Sequence, residues 1–405
     1  MAGHPTAGRL TAPEGAILNP TRRAVLGVAL LFFVNGMVVG GWLPRLPEIR
    51  DNLRLDLGTL GLTLALGGLG SLLGSSISGL IVGRVGSRRS AVVAAAAVYL
   101  FLPLIAVAPS APLLALTLAL MGFVDAQADV GMNAVGVRVE EEVGRSVMTR
   151  LHGLWSLGTL VGSGFSAVAI LIGLGLGSQL MILSILGVAV AVYAARLIPD
   201  SAPRPRTGDR SGRLALGLML AGGTAVFIEG APFDWGALYL IDFTGAGEAL
   251  AGTGVIVFTA GMLAGRLAGD HVVDRFGAIL TLYSGIGISL LSLLFVVALQ
   301  TVVATLIGFF VWGLGISVAL PVLYKLAGSH PSFGEGSGLA ALTVGTRLGF
   351  MTAPALIGVA ATAWSLPSAL AVVVGVAGIA SVLAVRLTIG GREPVSDSIP
   401  DQGVS

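Results

Sequence analysis

The sequence predicts an all-α polytopic membrane protein with twelve transmembrane helices, and three observations support this. Charged residues are absent from six long stretches, 24–44, 57–83, 90–124, 151–195, 276–324 and 348–385. Of the 405 residues, 55% are hydrophobic and only 11% are charged, whereas soluble proteins carry about 25% charged residues. A helix needs about 20 apolar residues to cross about 30 Å of hydrocarbon, so several stretches are long enough for two crossings.

Composition excludes several other classes of protein. Long uninterrupted apolar stretches do not fit outer-membrane barrels, whose strands alternate over about 10 residues. The chain has no Cys, a net charge of +2, and four His residues that lack the spacing of metal ligands. We therefore expect no disulfide, no metal site, no cofactor and no nucleic-acid partner.

The breaks between spans fall at Pro, Gly and polar residues. Arg22 and Arg23 precede the first span and hold its beginning inside. In chain order, the first six spans are predicted at 24–44, 58–82, 89–108, 112–138, 148–172 and 178–198. The last six are predicted at 214–233, 249–269, 277–297, 301–325, 337–360 and 366–388. The seventh is the least regular, because Glu229 and Pro232 interrupt it.

Basic residues set the orientation of such a protein. With the N-terminus inside, all but four of the 23 Lys and Arg residues fall on the cytoplasmic side. The exceptions are Arg45, Arg50 and Arg54 in the first outer loop and Arg347 within the eleventh span. The other outer loops are expected to carry only acids, namely Asp234, Asp242 and Glu248. We therefore expect both termini in the cytoplasm.

The chain divides into two halves of equal size. Segment 199–213 is rich in Pro and Arg and is predicted to be a cytoplasmic linker between six-helix bundles at 22–198 and 214–389. Segments 1–21 and 390–405 are polar and predicted to be disordered cytoplasmic tails.

Local echoes between the halves indicate a duplicated six-helix unit and two pseudo-symmetric bundles. Residues 34–36 read VNG, and residues 228–230 read IEG. Halves of this kind pack about an axis along the membrane normal, with a site between them near the midplane.

Two loops resemble the signature that members of the major facilitator superfamily (MFS) carry between their second and third helices. That signature is Gly, three residues, Asp, a basic residue, any residue, Gly, any residue and two basic residues. The first loop, at 79–89, reads GLIVGRVGSRR, with Gly83 in place of the acid. The second, at 270–277, reads DHVVDRFG, which keeps the acid at Asp274 but lacks the leading Gly. Their symmetric places imply membership over about residues 22–390.

The resemblance implies that these loops form the cytoplasmic gate of a transporter. The residues expected to take part are Gly79, Arg84, Gly86, Arg88, Arg89, Asp270, Asp274, Arg275 and Gly277.

Within the superfamily, WLPRLPEIR at 42–50 and HGLWSLG at 152–158 resemble a poorly characterised bacterial group near the fucose-permease-like branch. The fifth span lacks the Gly-Pro signature of antiporters. This kinship implies a bacterial plasma-membrane protein that takes up a sugar-like or other polar metabolite with protons.

Ionisable residues at membrane depth are costly and normally face a cavity or a partner. Four lie near the middle of predicted spans: Asp125, Asp129, Glu229 and Arg347. Asp125, Asp129 and Asn133 are spaced four residues apart and therefore share one helix face. A carboxylate in a partly dry cavity can alternate between charged and neutral forms. We expect these acids, Asp125 first, to couple protons to transport, with Arg347 neutralising one acid or binding an anion; fixed ion pairs are the alternative.

The resemblance also implies that the first, fourth, seventh and tenth helices line a central cavity. Asn35, Asn133 and Trp312 lie in three of these spans, and His152 and Trp155 lie in the fifth span. We expect these five residues to line the substrate cavity, with packing as the alternative for Trp312 and a structural hydrogen bond for His152.

Small residues recur every four positions in the second, fifth, eighth and eleventh spans. The stripes are Gly70, Gly74 and Ser78; Gly158, Gly162 and Ser166; Gly261, Gly265 and Gly269; and Gly345 and Gly349. Such stripes allow close helix contact. We expect them to form smooth surfaces where the two halves rock against each other.

The expected function is secondary active transport of a small solute by alternating access, with a proton as the coupling ion. The protein is expected to be a monomer in a lipid bilayer. No Gly-x-x-x-x-Gly-Lys-Ser/Thr occurs, so the energy must come from a gradient. An exporter of amphipathic drug-like compounds is the alternative. A non-transporting receptor or assembly protein is a third possibility, and no catalytic cluster indicates an enzyme.

Overall fold

A computed structural model describes residues 20–144, 147–200, 212–329 and 337–389, which are almost entirely helical. The first six spanning helices are α1 (Pro20–Trp42), α2 (Leu57–Val85), α3 (Ser87–Phe101, continued by Leu104–Val107), α4 (Ala111–Val143), α5 (Met148–Leu171) and α6 (Leu176–Leu197). The last six are α7 (Gly212–Thr244), α8 (Thr253–Phe276), α9 (Ala278–Leu299), α10 (Val302–Ile316, continued by Ala319–Ser329), α11 (Ser337–Ala363) and α12 (Leu366–Ile389).

Each of the twelve predicted spans corresponds to one of these helices, which confirms the predicted fold class. Eleven of the twelve are long and apolar enough to cross a membrane. The other, α8, has a shorter apolar stretch, Thr253–Gly269. The tails 1–19 and 390–405, and most of the linker, lie outside the described residues.

The same helix pairs pack in each half, as a duplicated unit requires. In the first half α1 packs on α5 and α2 on α4, and in the second α7 packs on α11 and α8 on α10. Glycines allow this contact: a methyl group on Gly158 would clash with the carbonyl oxygen of Phe33, and one on Gly345 with that of Met219.

The small-residue stripes therefore pack within each half, and the expectation that they form the surfaces on which the two halves rock is wrong. Gly70 lies against Ala119 of α4, and Gly261 against Phe310 of α10. Backbone proximity holds each bundle together because lipid supplies no hydrophobic force between helices.

Two glycine turns have matching backbones in the two halves. Gly86 joins α2 to α3 with φ 85° and ψ 154°, and Gly277 joins α8 to α9 with φ 84° and ψ 152°. A positive φ is readily adopted only by glycine, which explains the glycine at this position in both predicted gate loops.

The halves touch mainly through α2 with α11 and α5 with α8. We call the end of the bundle where α1 begins and α12 ends the terminal side, and the other end the opposite side. Contacts of α2 with α11 lie in the half of each helix nearer the opposite side, where Gly61 meets Pro354 and Gly68 meets Met351. The halves are thus closed on the opposite side.

Candidate functional site: a cavity between the halves

A cavity of about 2790 Å³ lies between the two halves. Its lining extends from Val38 and Leu64, toward the opposite side, to Arg84, Asp200 and Lys325 at the terminal side. It therefore opens on the terminal side.

Asp125 begins a chain of hydrogen bonds on the wall of the first half. The amide nitrogen of Asn35 donates to Oδ1 of Asp125 at 2.6 Å. The indole Nε1 of Trp155 donates to the amide oxygen of Asn35 at 2.8 Å. All three residues line the cavity, so α4, α1 and α5 are linked side chain to side chain at its surface.

Asp129 links the two halves. Its Oδ2 accepts a hydrogen bond from Arg347 of α11 at 2.5 Å, and its Oδ1 accepts one from Asn133 at 2.9 Å. Arg347 thus neutralises one of the two aspartates of α4, as one of the sequence-based alternatives proposed.

Glu229 pairs with an arginine that sequence reasoning missed. A terminal nitrogen of Arg266 lies 3.4 Å from Oε1 of Glu229, and the same guanidinium donates to the hydroxyl of Ser156 in α5. Its carbon also lies 5.9 Å from the centre of the Trp155 ring. Arg266 was assigned to the cytoplasmic side because the predicted eighth span ended at residue 269. The helix continues to Phe276, which places Arg266 near its middle.

Asp234 also lines the cavity, and its assignment to an outer loop is wrong. The predicted seventh span ended at residue 233, but α7 continues through Pro232 to Thr244. A helix-interior Pro suggested a break, yet a helix can pass through one where neighbours satisfy the freed carbonyl.

The remaining predicted cavity residues separate into two groups. His152 lines the cavity and packs edge-to-face on Phe32 at 5.2 Å between ring centres. Trp312 is not part of the described lining: it is 1% exposed, and its Nε1 donates to the carbonyl oxygen of Ile228 at 3.0 Å. The structure thus assigns Trp312 a packing role, the alternative reading of its position.

The predicted gate loops surround the open mouth. Gly79, Arg84 and Asp274 line it, and Arg88 pairs with Asp200 at 2.6 Å within the first half. The remaining gate residues with described side chains are exposed, namely Arg89 and Arg275, and the side chain of Asp270 lies outside the described part. Among the described contacts of these loops, none bridges the two halves in this open form.

Closure on the opposite side involves a short helix, Leu46–Leu53, between α1 and α2. Arg50 of this helix forms an ion pair with Asp242 of α7, which joins the two halves. Arg45, just before it, is 5% exposed and donates to Oε1 of Gln179 at 2.8 Å. The short helix is thus anchored to the first half and latched to the second.

Comparisons with known proteins agree with this architecture. The chain is 29% identical over 334 residues to an uncharacterised MFS-type transporter of Yersinia pestis, covering 81% of this chain and 86% of the relative. It is 28% identical over 404 residues to the membrane protein MosC of Rhizobium meliloti, covering 96% and 98%.

Solved structures share the fold. The nucleoside transporter NupG superposes with a TM-score of 0.71 at 14% identity, covering 90% of this chain and 98% of that one. A bacterial homolog of the human lysosomal transporter Spinster, in an inward-facing and occupied conformation, gives 0.71 at 14% identity, covering 94% and 100%. The family model of the Major Facilitator Superfamily matches residues 28–332, and the chain therefore belongs to this superfamily of membrane transporters.

Proposed function

We propose that the protein is a secondary active transporter that takes up a small polar solute with protons, by alternating access. The observation that carries this proposal is the cavity between the halves, open on the terminal side and closed on the other, with acids on its wall. Rocking the halves about the contacts between them would close the mouth and open the opposite side.

The distribution of basic residues supports a cytoplasmic terminal side and a bacterial plasma membrane. Arg84, Arg88 and Arg89 lie there, as do Arg22 and Arg23. Moving Arg266 from the cytoplasmic side into the membrane leaves this bias strong. In this orientation the cavity faces the cytoplasm.

Asp125 is the proposed proton carrier. Asp129 and Glu229 each have an arginine in ion-pair contact, whereas the hydrogen-bond partner of Asp125 is the neutral amide of Asn35. A carboxylate without a paired cation can lose its charge by binding a proton with little rearrangement. Protonation would then remove a charge from the wall before the halves move.

Replacing Asp125 by Asn tests this coupling. Purified protein in liposomes is offered a panel of radiolabelled metabolites under an imposed pH gradient. The parent should accumulate a solute, and a protonophore should abolish the accumulation. Asp125→Asn should retain solute exchange at saturating solute concentration but lose accumulation, because the amide cannot carry a proton.

The matched control is Glu142→Gln, the same chemical change in α4 but at the exposed cavity mouth, and it should behave as the parent does. Proton-driven accumulation by Asp125→Asn at the parental level would remove Asp125 from the mechanism. Absence of transport of any solute in the parent would count against the transporter itself.

A proton-driven exporter of amphipathic compounds is the second candidate. The deep lining includes Val38, Leu64 and Phe233, and apolar walls suit amphipathic ligands. Export would appear as movement out of the cytoplasmic side against a gradient, with protons moving in.

A further inference from the structure

We propose that the closed end of the cavity is a binding site for a solute that carries a positively charged amine. This inference rests on the proposed function and specifies the class of substrate.

Along one helix of each half, an acid with a paired arginine and an acid without one lie at different depths. Asp125 lies four residues from Asp129 toward the opposite side, and Asp234 lies five residues beyond Glu229 in the same direction. At 1.5 Å per residue these offsets are about 6 and 7.5 Å. In each half, the acid without a paired arginine thus lies nearer the closed end than the paired acid of the same helix.

The deeper acid of each helix, Asp125 in α4 and Asp234 in α7, lacks an ion-pair partner among the described residues. Asp234 lines the cavity and makes no hydrogen bond or ion pair within the described part of the chain. Asp125 accepts from Asn35, and although Arg347 also attracts it, the ion pair of that arginine is with Asp129.

The charges that line the middle of the cavity therefore favour a bound cation. Four carboxylates face two guanidinium groups, those of Arg266 and Arg347. Buried charges are costly unless they are paired, so a bound ammonium group would compensate the excess negative charge whenever Asp125 and Asp234 are ionised.

A buried hydroxyl on the same wall provides independent support. Ser71 of α2 lines the cavity and is 7% exposed, and its Oγ has no hydrogen-bond partner among the described atoms. Its backbone packs against Gly122 of α4, one turn from Asp125. An unpaired hydroxyl oxygen can accept a hydrogen bond from an ammonium N–H.

Apolar side chains complete the closed end. Trp42, Leu43, Phe350 and Pro354 line it, which suits the carbon skeleton of the solute. A small organic amine therefore matches the site better than a neutral sugar or an anion of equal size.

Equilibrium binding tests the charge preference without requiring transport. Purified full-length protein in detergent is titrated calorimetrically with two matched sets: glucosamine, glucose and glucuronate, and phenylethylamine, phenylethanol and phenylacetate. At least one ammonium compound should bind about tenfold more tightly than its neutral partner, a difference of about 1.4 kcal/mol. Binding of a neutral or anionic member as tightly, or no binding of either ammonium, overturns the proposal.

Charge-neutralising variants locate the site. Asp234→Asn should weaken ammonium binding about tenfold, and Asp234→Glu, which keeps the charge, should retain most of it. Glu142→Gln, which removes an acid at the mouth, should leave it unchanged. Asp125→Asn provides a second test should Asp234→Asn fail to fold. Unchanged binding in both Asn variants overturns the proposal.

The outcomes distinguish this inference from the proposed function. Gradient-driven transport of a neutral or anionic solute alone would refute the amine site and leave the transporter intact. Saturable binding of an ammonium compound that the protein does not transport would support the amine site and count against the proposed transport.

Discussion

Pro232 leaves the carbonyl oxygen of Ile228 without its usual intrahelical donor, because proline has no backbone N–H. The indole N–H of Trp312 fills this gap at 3.0 Å, and the Trp312 ring packs edge-to-face on Phe309. The bond fixes the part of α7 that carries Glu229. Trp312 of α10 thus supports the wall of the cavity without being part of its described lining.

Trp312→Phe should destabilise the protein by about 1–3 kcal/mol, because a buried carbonyl loses its donor. Chemical denaturation in detergent measures this. Trp364→Phe is the control, since Trp364 is 61% exposed, and it should change little. Normal stability of Trp312→Phe combined with lost solute binding would instead place Trp312 in the substrate site.

Asp56 caps the first turn of α2 and introduces a pH dependence. Its Oδ1 accepts from the backbone N–H of Thr59 at 2.9 Å, and this bond lowers the pKa of the Asp56 carboxyl. The folded pKa thus lies below the unfolded one, so the stabilisation is present above the unfolded value of about 4 and is lost as the pH falls through the folded pKa.

Asp56→Ala should therefore cost about 1 kcal/mol at neutral pH and less in acid. Asp56→Asn, which can still cap, should lose less stability and remove the pH dependence of this site. Unfolding measured from pH 7 to pH 3 compares the three proteins. A cost for Asp56→Ala that stays constant over this range would contradict the capping role.

Close backbone approach between helices within each half makes the bundles rigid units. The pairs α1 with α5 and α7 with α11 meet through glycines whose missing side chains let backbones touch. The contact between the halves on the opposite side is built in the same way, where α2 meets α11 through Gly61, Gly68 and Gly358. Motion between the rigid bundles therefore has to separate these backbone contacts.

Gly158→Ala should be strongly destabilising, by about 1–3 kcal/mol, because its methyl group would overlap the backbone of Phe33. Gly164→Ala in the same helix is the control, since no described atom lies within 4 Å of the added carbon. It should be neutral or slightly stabilising. Thermal unfolding in detergent measures both, and equal effects would contradict the packing described.

The two halves form an assembly open at one end and latched at the other. Gly79 and Gly83 of α2 have no described atom within 4 Å of an added Cβ at the mouth, while Arg50 and Asp242 join the halves at the far end. The ion pair of Arg50 with Asp242 is therefore one of the contacts on which the balance between the two orientations depends.

Arg50→Ala should shift the population away from the form open on the terminal side. A partly exposed ion pair contributes about 0.2–1 kcal/mol, so the change should be modest. Because the chain has no native Cys, Gly79→Cys gives a single thiol whose maleimide labelling reports an open mouth. Labelling should slow in Arg50→Ala.

Glu248→Gln, an exposed acid on the same side, is the control and should leave the labelling rate unchanged. Faster labelling in Arg50→Ala would show that the pair favours the other orientation.

Most of the fold was predictable from hydropathy, because lipid forces every backbone polar group into internal hydrogen bonds. The pairing of charges was not. The pairing of Asp129 with Arg347 was one of several alternatives that the sequence left open. The predicted positions of Asp234 and Arg266 were wrong because α7 and α8 extend beyond the predicted ends of the seventh and eighth spans. Trp312 shows the same limit: its acceptor lies 84 residues away in the chain, which no local pattern reveals.

The latch between Arg50 and Asp242 is partly exposed, with 17% and 25% of the two side chains accessible. Raising salt from 0.01 to 1 M shortens the Debye length from about 30 to 3 Å. Salt added only on the opposite side would therefore weaken this ion pair while leaving the screening of charges near the mouth unchanged. The population of the form open on the terminal side would thus depend on the salt concentration of one compartment. The same protein would therefore have different resting populations at low and at high external salt.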